Sequence, residues 1–339
     1  MGSRIVKLDM KDRKLLYELD INSRLSAAQL ARKVGISKQG CTFKINNLVR
    51  KGVITSFPTV MNIALMGYLS FRLYFKLIDI SPEEEEEFRR YLINHRDVPW
   101  LVGCEGAWDY IMVVFPPDFG SFEKFMEEFN NRFGRFIEKK DIALVTAAHH
   151  FRCGYLLGEK KDIPPMIYAG QPKKVERLDY TEKSTLVLLS KNARIPLVKI
   201  ARTLGIAPKA AAYRIEKLKK LNIIEGFTVT VDLEKVGFER YKVFVRTKNM
   251  SEEREKSFMH YSGKHPYTLY YSKSIGANDV ELEFILRDSR QLREIIADIR
   301  KRFGGIIKSY EILKIYREFK LNYYPSGRVH TDTEKEGKL

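Results

Sequence analysis

The chain has 339 residues, 44% of them hydrophobic, and a formal net charge of +17. That length accommodates two to four domains with ordinary cores, and the positive excess points to a polyanionic partner. Composition argues against a membrane span, because no apolar run approaches roughly 18 residues. It argues equally against a disulfide framework or zinc site, because Cys41, Cys104 and Cys153 stand far apart and odd in number; a reducing cytoplasm is the simplest setting.

In chain order, Asp9 predicts a helix N-cap, with Asp12 as its capping carboxylate and Leu15, Leu16 and Leu19 as the apolar face. Asn22-Ser23-Arg24 ends that helix. Ser26 caps a second one, with Leu30, Ala31 and Val34 inward, and Gly35 follows where a left-handed residue is wanted. Ser37 caps a third, whose Cys41, Ile45 and Leu48 recur at helical spacing. Gly52-Val53-Ile54 leads into an extended segment, Phe57 to Met61. This order is a winged helix-turn-helix, whose third helix enters the major groove of DNA. With the core face set aside, that helix offers Lys38, Gln39, Thr42, Phe43, Lys44, Asn46 and Asn47. Lys can donate to guanine, and Asn or Gln can pair with adenine. For any one of these residues a solvated polar face is the bland explanation. Gly40 costs about 1 kcal/mol relative to Ala inside a helix; it either permits close approach to DNA or is merely tolerated.

Next come a strand from Tyr68 to Ile78 and a helix from Ser81-Pro82 through the acidic run Glu83–Glu87 to Asn94. Strands Trp100–Cys104 and Asp109–Phe115 flank the turn Glu105-Gly106-Ala107-Trp108. A helix Phe122–Phe133 and a strand Ile142–His149 complete a β-α-β-β-α-β, ferredoxin-like order. His149-His150-Phe151-Arg152 is the one cluster that hints at catalysis; a strand end facing solvent is the bland alternative. Leu156 to Arg177 holds Gly158, Pro164-Pro165, Gly170 and Pro172 and reads as a linker, partly extended.

From Leu178 the whole order begins again, 170 residues on and without a gap. Leu8-Asp9 returns as Leu178-Asp179, Asn22-Ser23-Arg24 as Asn192-Ala193-Arg194, and Phe133-Gly134 as Phe303-Gly304. The second reading helix offers Lys209, Ala212, Tyr213, Arg214 and Lys217, behind Pro208 in its first turn. Tyr and Ala suit thymine methyls or sugars, while Lys and Arg mostly meet phosphates. Strands Tyr241–Thr247, Thr268–Ser274, Asp279–Leu286 and Tyr310–Phe319 and helices Glu252–Tyr261 and Ser289–Phe303 form a second ferredoxin-like unit. Such a sheet has one open face, and the duplication supplies a partner for it. The basic charge is concentrated in the winged helices: residues 1–58 carry 12 Lys/Arg against 4 Asp/Glu, and residues 171–228 carry 13 against 5.

These residues resemble the Lrp/AsnC family of prokaryotic transcription regulators. The resemblance rests on the Leu-Asp pairs (8–9, 178–179), the Asn-x-Arg (22–24, 192–194) and Leu-Ala-Arg-Lys-Val-Gly-Ile-Ser at 30–37. The wing entry at 52–54 and the turns Gly-Ala-Trp-Asp-Tyr (106–110) and Gly-Ala-Asn-Asp-Val (276–280) extend it over about 8–155 and 178–322. It implies assembly through the ferredoxin-like domains, as a homo-oligomer, and a small effector such as an amino acid near Gly106, Asp109, Gly276 and Asp279. A glycine turn with a turn-stabilising Asp is the structural alternative there. A tandem unit looks like an archaeal arrangement in which one chain mimics a dimer. Because the two reading helices differ, a simple palindromic operator is not expected.

The expected architecture is therefore α+β, two tandem units each of a winged helix-turn-helix and a ferredoxin-like domain. The boundaries are 1–62, 63–156, a linker 157–177, 178–232, 233–324 and a flexible tail 325–339. The expected function is sequence-specific regulation of transcription on double-stranded promoter DNA, with no cofactor or metal, no membrane partner, and a basal transcription factor as a further partner. The alternatives are a sirohaem-decarboxylase-like tetrapyrrole enzyme on the same scaffold, using His149 or His150, and a chromatin-like binder without sequence preference.

Overall fold

Capping residues set the ends of the helices that open each repeat in the computed structural model, which describes residues 5–171 and 174–325. α1 (Met10–Ile21) starts at Asp9, whose carboxylate accepts from the Asp12 amide while Asp12 reaches back to the Asp9 N–H. α2 (Ala27–Val34) starts at Ser26 and stops at Gly35, where φ is +71°; glycine adopts that conformation without steric cost. α3 (Lys38–Arg50) starts at Ser37. Leu15, Leu16, Leu19, Leu30 and Cys41 are fully buried between these three helices. In the second repeat α6 (Tyr180–Lys191) opens on an Asp179/Glu182 capping box and α7 (Leu197–Leu204) stops at the left-handed Gly205, but α7 and α8 (Pro208–Lys220) start at Pro196 and Ala207 without a side-chain cap.

The wing strands cross between repeats. β1 (Ile54–Ser56) pairs antiparallel with β9 (Thr230–Val231), and β2 (Thr59–Met61) with β8 (Ile224–Phe227). Each winged-helix core is completed by the other: Val229, Val231 and Phe238 join the first, Val60 and Met61 the second. The Asn-x-Arg motif locks this exchange. Arg24 donates to the carbonyls of Ala193 and Ile195, and Arg194 to those of Ser23 and Leu25. Each guanidinium also lies 5.4 Å from a ring of the opposite repeat, Arg24 over Phe227 and Arg194 over Phe57. The reciprocity makes a pseudo-two-fold axis within one chain.

Hydrogen bonds from a charged donor contribute about 1.5–3 kcal/mol each. The double substitution Arg24→Ala, Arg194→Ala is therefore expected to lower the melting temperature and weaken DNA binding together. A melting curve that stays in place would show that the exchange of strands holds without the arginines.

β3 (Phe71–Leu77), α4 (Pro82–Asn94), β4 (Trp100–Glu105), β5 (Tyr110–Val114), α5 (Phe119–Phe133) and β6 (Ile137–His150) form the first ferredoxin-like unit. β10 (Glu239–Thr247), α9 (Glu252–Lys264), β11 (Thr268–Gly276), β12 (Val280–Leu286), α10 (Ser289–Phe303) and β13 (Ile307–Leu321) form the second. Each unit has the strand order 2-3-1-4 of its own four strands. The two sheets join edge to edge, β13 to β4 and β6 to β11, so eight strands close on themselves. The open faces predicted from sequence thus become the inside of a barrel. Outward residues such as Phe71, Leu73 and Phe75 pack under α4 and α5, while Tyr74 and Phe244 point inward, following the period of two along a strand. β6 and β13 outrun their predicted lengths because each pairs with both sheets: Phe71 faces Leu144 on one side of β6, and Gly276 faces Ala143 on the other.

The stretch expected as a linker is built into the fold where it is described. β7 (Met166–Ala169) adds to the edge of β6, with His150 opposite Met166. Met166 is buried in the second winged-helix core, which holds the segment down. Residues 326–339 of the expected tail, like 1–4 and 172–173, lie outside the described residues. Among the described residues no helix is long and apolar enough to cross a membrane.

Candidate nucleic-acid interface

α3 and α8 present the residues predicted to read DNA. Lys38, Gln39, Thr42, Phe43 and Asn46 are exposed on α3, and Lys209 and Tyr213 on α8; Lys44, Asn47, Arg214 and Lys217 are half-buried. Phe43 and Tyr213 occupy the same place in the two repeats and are 67% and 68% exposed. A large ring held in water at the same helical position twice is poorly explained by folding and marks an apolar surface free to meet a partner. Lys38 and Lys209 make no ion pair among the described residues and sit in the first turn of each helix. Thr42 bonds back to the Lys38 carbonyl, and the Asn47 amide oxygen accepts from Arg50 at 3.0 Å.

Two predicted lysines are engaged within the protein. Lys44 reaches the cap of α1, 2.8 Å from Asp9 and 2.9 Å from Asp12. Partial burial opposes its charge, but these hydrogen bonds raise its pKa overall. Lys217 pairs with Glu182 at 2.5 Å in the second repeat. Both tie the reading helix to the first helix of the motif, so they orient the interface and would have to break their ion pairs to touch a base. Arg214 stacks along α8, and its buried Nε has no hydrogen-bond partner among the described residues.

The four residues tied to an effector by resemblance sit in equivalent turns at one end of the barrel. Asp109 accepts from Lys76 at 2.7 Å and from the Leu77 amide at 2.8 Å. Asp279 accepts from the Thr247 amide at 2.6 Å and its hydroxyl at 3.0 Å. Gly106 and Gly276 have φ of +132° and +117°, and a Cβ on Gly276 would lie 2.5 Å from the Ile142 carbonyl. Both carboxylates and both glycines therefore have structural duties where the turns meet the neighbouring sheet. Trp108 is buried against Tyr74, in the same apolar cluster as Phe244.

The His149-His150-Arg152 segment does not converge on one point. Consecutive strand residues face opposite ways: His149 lies against Tyr271, His150 against Tyr270. Arg152 is turned to the Asp20 carbonyl and the Met166 sulfur. The segment is no solvent-facing strand end either, since His150 and Arg152 are buried. Burial, with Arg152 and Arg240 nearby, pushes the His150 pKa down to about 3. The unfolded chain would then bind a proton near pH 6.5 that the folded chain refuses until about 3. Stability is expected to fall as pH drops through that window, by up to about 1.4 kcal/mol per pH unit. His150→Gln should flatten the loss in a denaturation series at decreasing pH.

A second buried cluster escaped the sequence reading. Inside the barrel Arg72 pairs with Glu281, Lys242 with Glu281 (2.9 Å) and Glu283 (2.6 Å), and Arg240 with Glu283 and Glu318. Tyr74 donates to Glu281, and Trp100 Nε1 to Glu318 at 2.8 Å. Its signal was present in Arg240-x-Lys242 and Glu281-x-Glu283, charges spaced by two within apolar strands. The matching positions of the first repeat are Ser70, Arg72, Ile111 and Val113, so the cluster is asymmetric.

A family model described as winged helix-turn-helix DNA-binding matches residues 8–55 and 178–225. The chain is 31% identical over 123 residues to the proline dehydrogenase transcriptional activator of Rhizobium radiobacter, covering 36% of this chain and 78% of that one. It is 27% identical over 133 residues to the HTH-type transcriptional regulator LrpA of Pyrococcus horikoshii, covering 39% and 92%. One repeat here thus corresponds to most of a relative. Among solved structures, that of the siroheme decarboxylase NirDL with an iron-uroporphyrin III analogue is 14% identical with a TM-score of 0.58. It covers 93% of this chain and 95% of that one, a likeness of fold over both repeats.

Proposed function

This chain belongs to the Lrp/AsnC family as a tandem duplicate and is a DNA-binding transcription regulator; from that premise we propose that it reads an asymmetric operator with two unlike helices. α3 would take one half-site, with Lys38, Gln39, Thr42, Phe43, Asn46 and Asn47 facing the groove. α8 would take the other, with Lys209, Tyr213 and Arg214. The observation that carries this is the reciprocal exchange of wing strands, which fixes α3 and α8 about a pseudo-two-fold axis within one chain. The chain would do alone what a dimer of single-unit relatives does. Small effectors, such as the amino acids implied at Gly106, Asp109, Gly276 and Asp279, would act through the barrel.

Footprinting on the DNA upstream of the protein's own gene tests this. The expected result is two protected segments separated by about one helical turn, roughly 10 bp. Affinity should fall linearly in log–log form as salt rises. Uniform protection that scrambled DNA competes away equally well would replace this reading with a sequence-tolerant binder. We also propose that the scaffold is not catalytic here: His149 and His150 face apart, and His150 is held neutral by burial. A saturable haem-type absorbance change on adding an iron porphyrin, abolished by His150→Ala, would overturn that.

A further inference from the structure

The two reading helices lie in register, 170 residues apart, so each position on one has a counterpart on the other. The outer stripe of α3 carries Gln39, Thr42 and Asn46, and the same places on α8 hold Lys209, Ala212 and Glu216. Phe43 and Tyr213 match. The net charge of the two stripes is also the same, with Lys38 and Arg50 on one, and Lys209, Lys219 and Lys220 less Glu216 on the other. Attraction to phosphates therefore does not separate the helices. What separates them is the kind of group left free. The Gln39 and Asn46 carboxamides are exposed and make no hydrogen bond among the described residues. A carboxamide offers a donor and an acceptor together, the pattern that matches N6 and N7 of adenine in the major groove. α8 holds no asparagine or glutamine. Lys209 ends in a point charge whose rotatable donors suit guanine and phosphate alike. Both Glu216 oxygens lie 3.0 Å from Lys219 Nζ, and the Ala212 side chain forms no hydrogen bonds.

We propose that operator sequence is read by α3, through adenine contacts from Gln39 and Asn46, while α8 grips a sequence-tolerant half, so that the chain lies on its operator in one orientation. This rests on the DNA-reading function proposed above and gives the two helices unequal work. The clasp of Arg24 and Arg194 links the two winged helices, so α8 adds affinity wherever α3 has found its sequence. A two-fold dimer of identical chains presents the same helix to both half-sites and meets its operator equally in either direction. Divergence within one chain removes that equivalence. Each ferredoxin-like unit then faces a defined side of the site.

The full-length chain selects binding sites from a pool of randomised duplexes, and the enriched sequences are aligned. The expected consensus has fixed adenines in one half and little constraint in the other. Two equally constrained halves, or a constrained half without adenine, overturn the proposal and leave the regulator standing. No enrichment over the starting pool overturns the sequence-specific reading itself, and this proposal with it. On the selected site, 7-deazaadenine, which lacks the N7 acceptor, then replaces adenine in each half in turn. In the constrained half it should weaken binding of the parent chain at least about tenfold, the order of one bidentate contact. It should scarcely affect the double variant Gln39→Ala, Asn46→Ala. Equal losses for parent and variant overturn the assignment to α3. Both residues are exposed, so the variant should melt with the parent. Lys209→Ala should instead weaken binding to all sequences alike and lower the salt slope by about 1; a loss of sequence discrimination in that variant would place the reading on α8 and overturn the proposal.

Discussion

Glu281→Ala is expected to destabilise the protein by about 3–5 kcal/mol, the cost typical of removing one partner from a buried ion pair. That is a large part of the roughly 5–15 kcal/mol by which proteins are stable. Glu281 is 1% exposed and holds Arg72, Lys242 and the Tyr74 hydroxyl together. Burial works against its charge, but Arg72 and Lys242 win and hold its pKa below the ordinary value. Without it, Arg72 would be a buried cation left with neutral acceptors such as the Ser272 hydroxyl, 3.0 Å away. Lys242 would keep Glu283. Chemical denaturation near neutral pH is the measurement. A midpoint shift below that produced by an ordinary surface substitution, about 0.5 kcal/mol, would mean the cluster is dispensable for stability.

Phe43→Ala with Tyr213→Ala is expected to weaken specific DNA binding by roughly a hundredfold. Each ring is assigned about tenfold, or 1.4 kcal/mol, within the range of about 1–3 kcal/mol that one base-pair mismatch costs. The two sites lie on different helices and share no partner, so their effects should add. Thermal stability should scarcely move, because both rings are about two-thirds exposed. The salt dependence should also persist, because phosphate-contacting lysines and arginines are untouched. Gel-shift titrations at several salt concentrations separate these terms. Equal affinity of the double variant and the parent protein would remove the rings from the interface.

How much was legible in the sequence can be traced to particular residues. Asp9, Ser26 and Ser37 announced their helices because a cap is a local contract between a side chain and amides three residues on. Gly35 announced its turn because a left-handed backbone selects glycine, and Gly205 has the same backbone in the second repeat. The ferredoxin-like order followed from periods of two and of helical spacing. The family followed from short motifs in the right order, twice over. The ion pairs of Lys44 and Lys217 were not legible because their partners, Asp9, Asp12 and Glu182, lie 32 or more residues away and meet them only in space.

The sequence by itself determined that two like units stand in tandem, that each pairs a winged helix with a ferredoxin-like sheet, and that positive charge gathers on the winged helices. Those properties depend on contacts within a few residues or on counting. Only the tertiary structure decided that wing strands cross between repeats, that two sheets close into a barrel, and that Arg24 and Arg194 clasp opposite carbonyls. It alone gathered Arg72 from one repeat and Glu281 from the other, 209 residues apart. The physical reason is that strand edges and buried charges choose partners by geometry across the whole chain, and a repeat offers two candidates, itself and its twin, that no local pattern distinguishes.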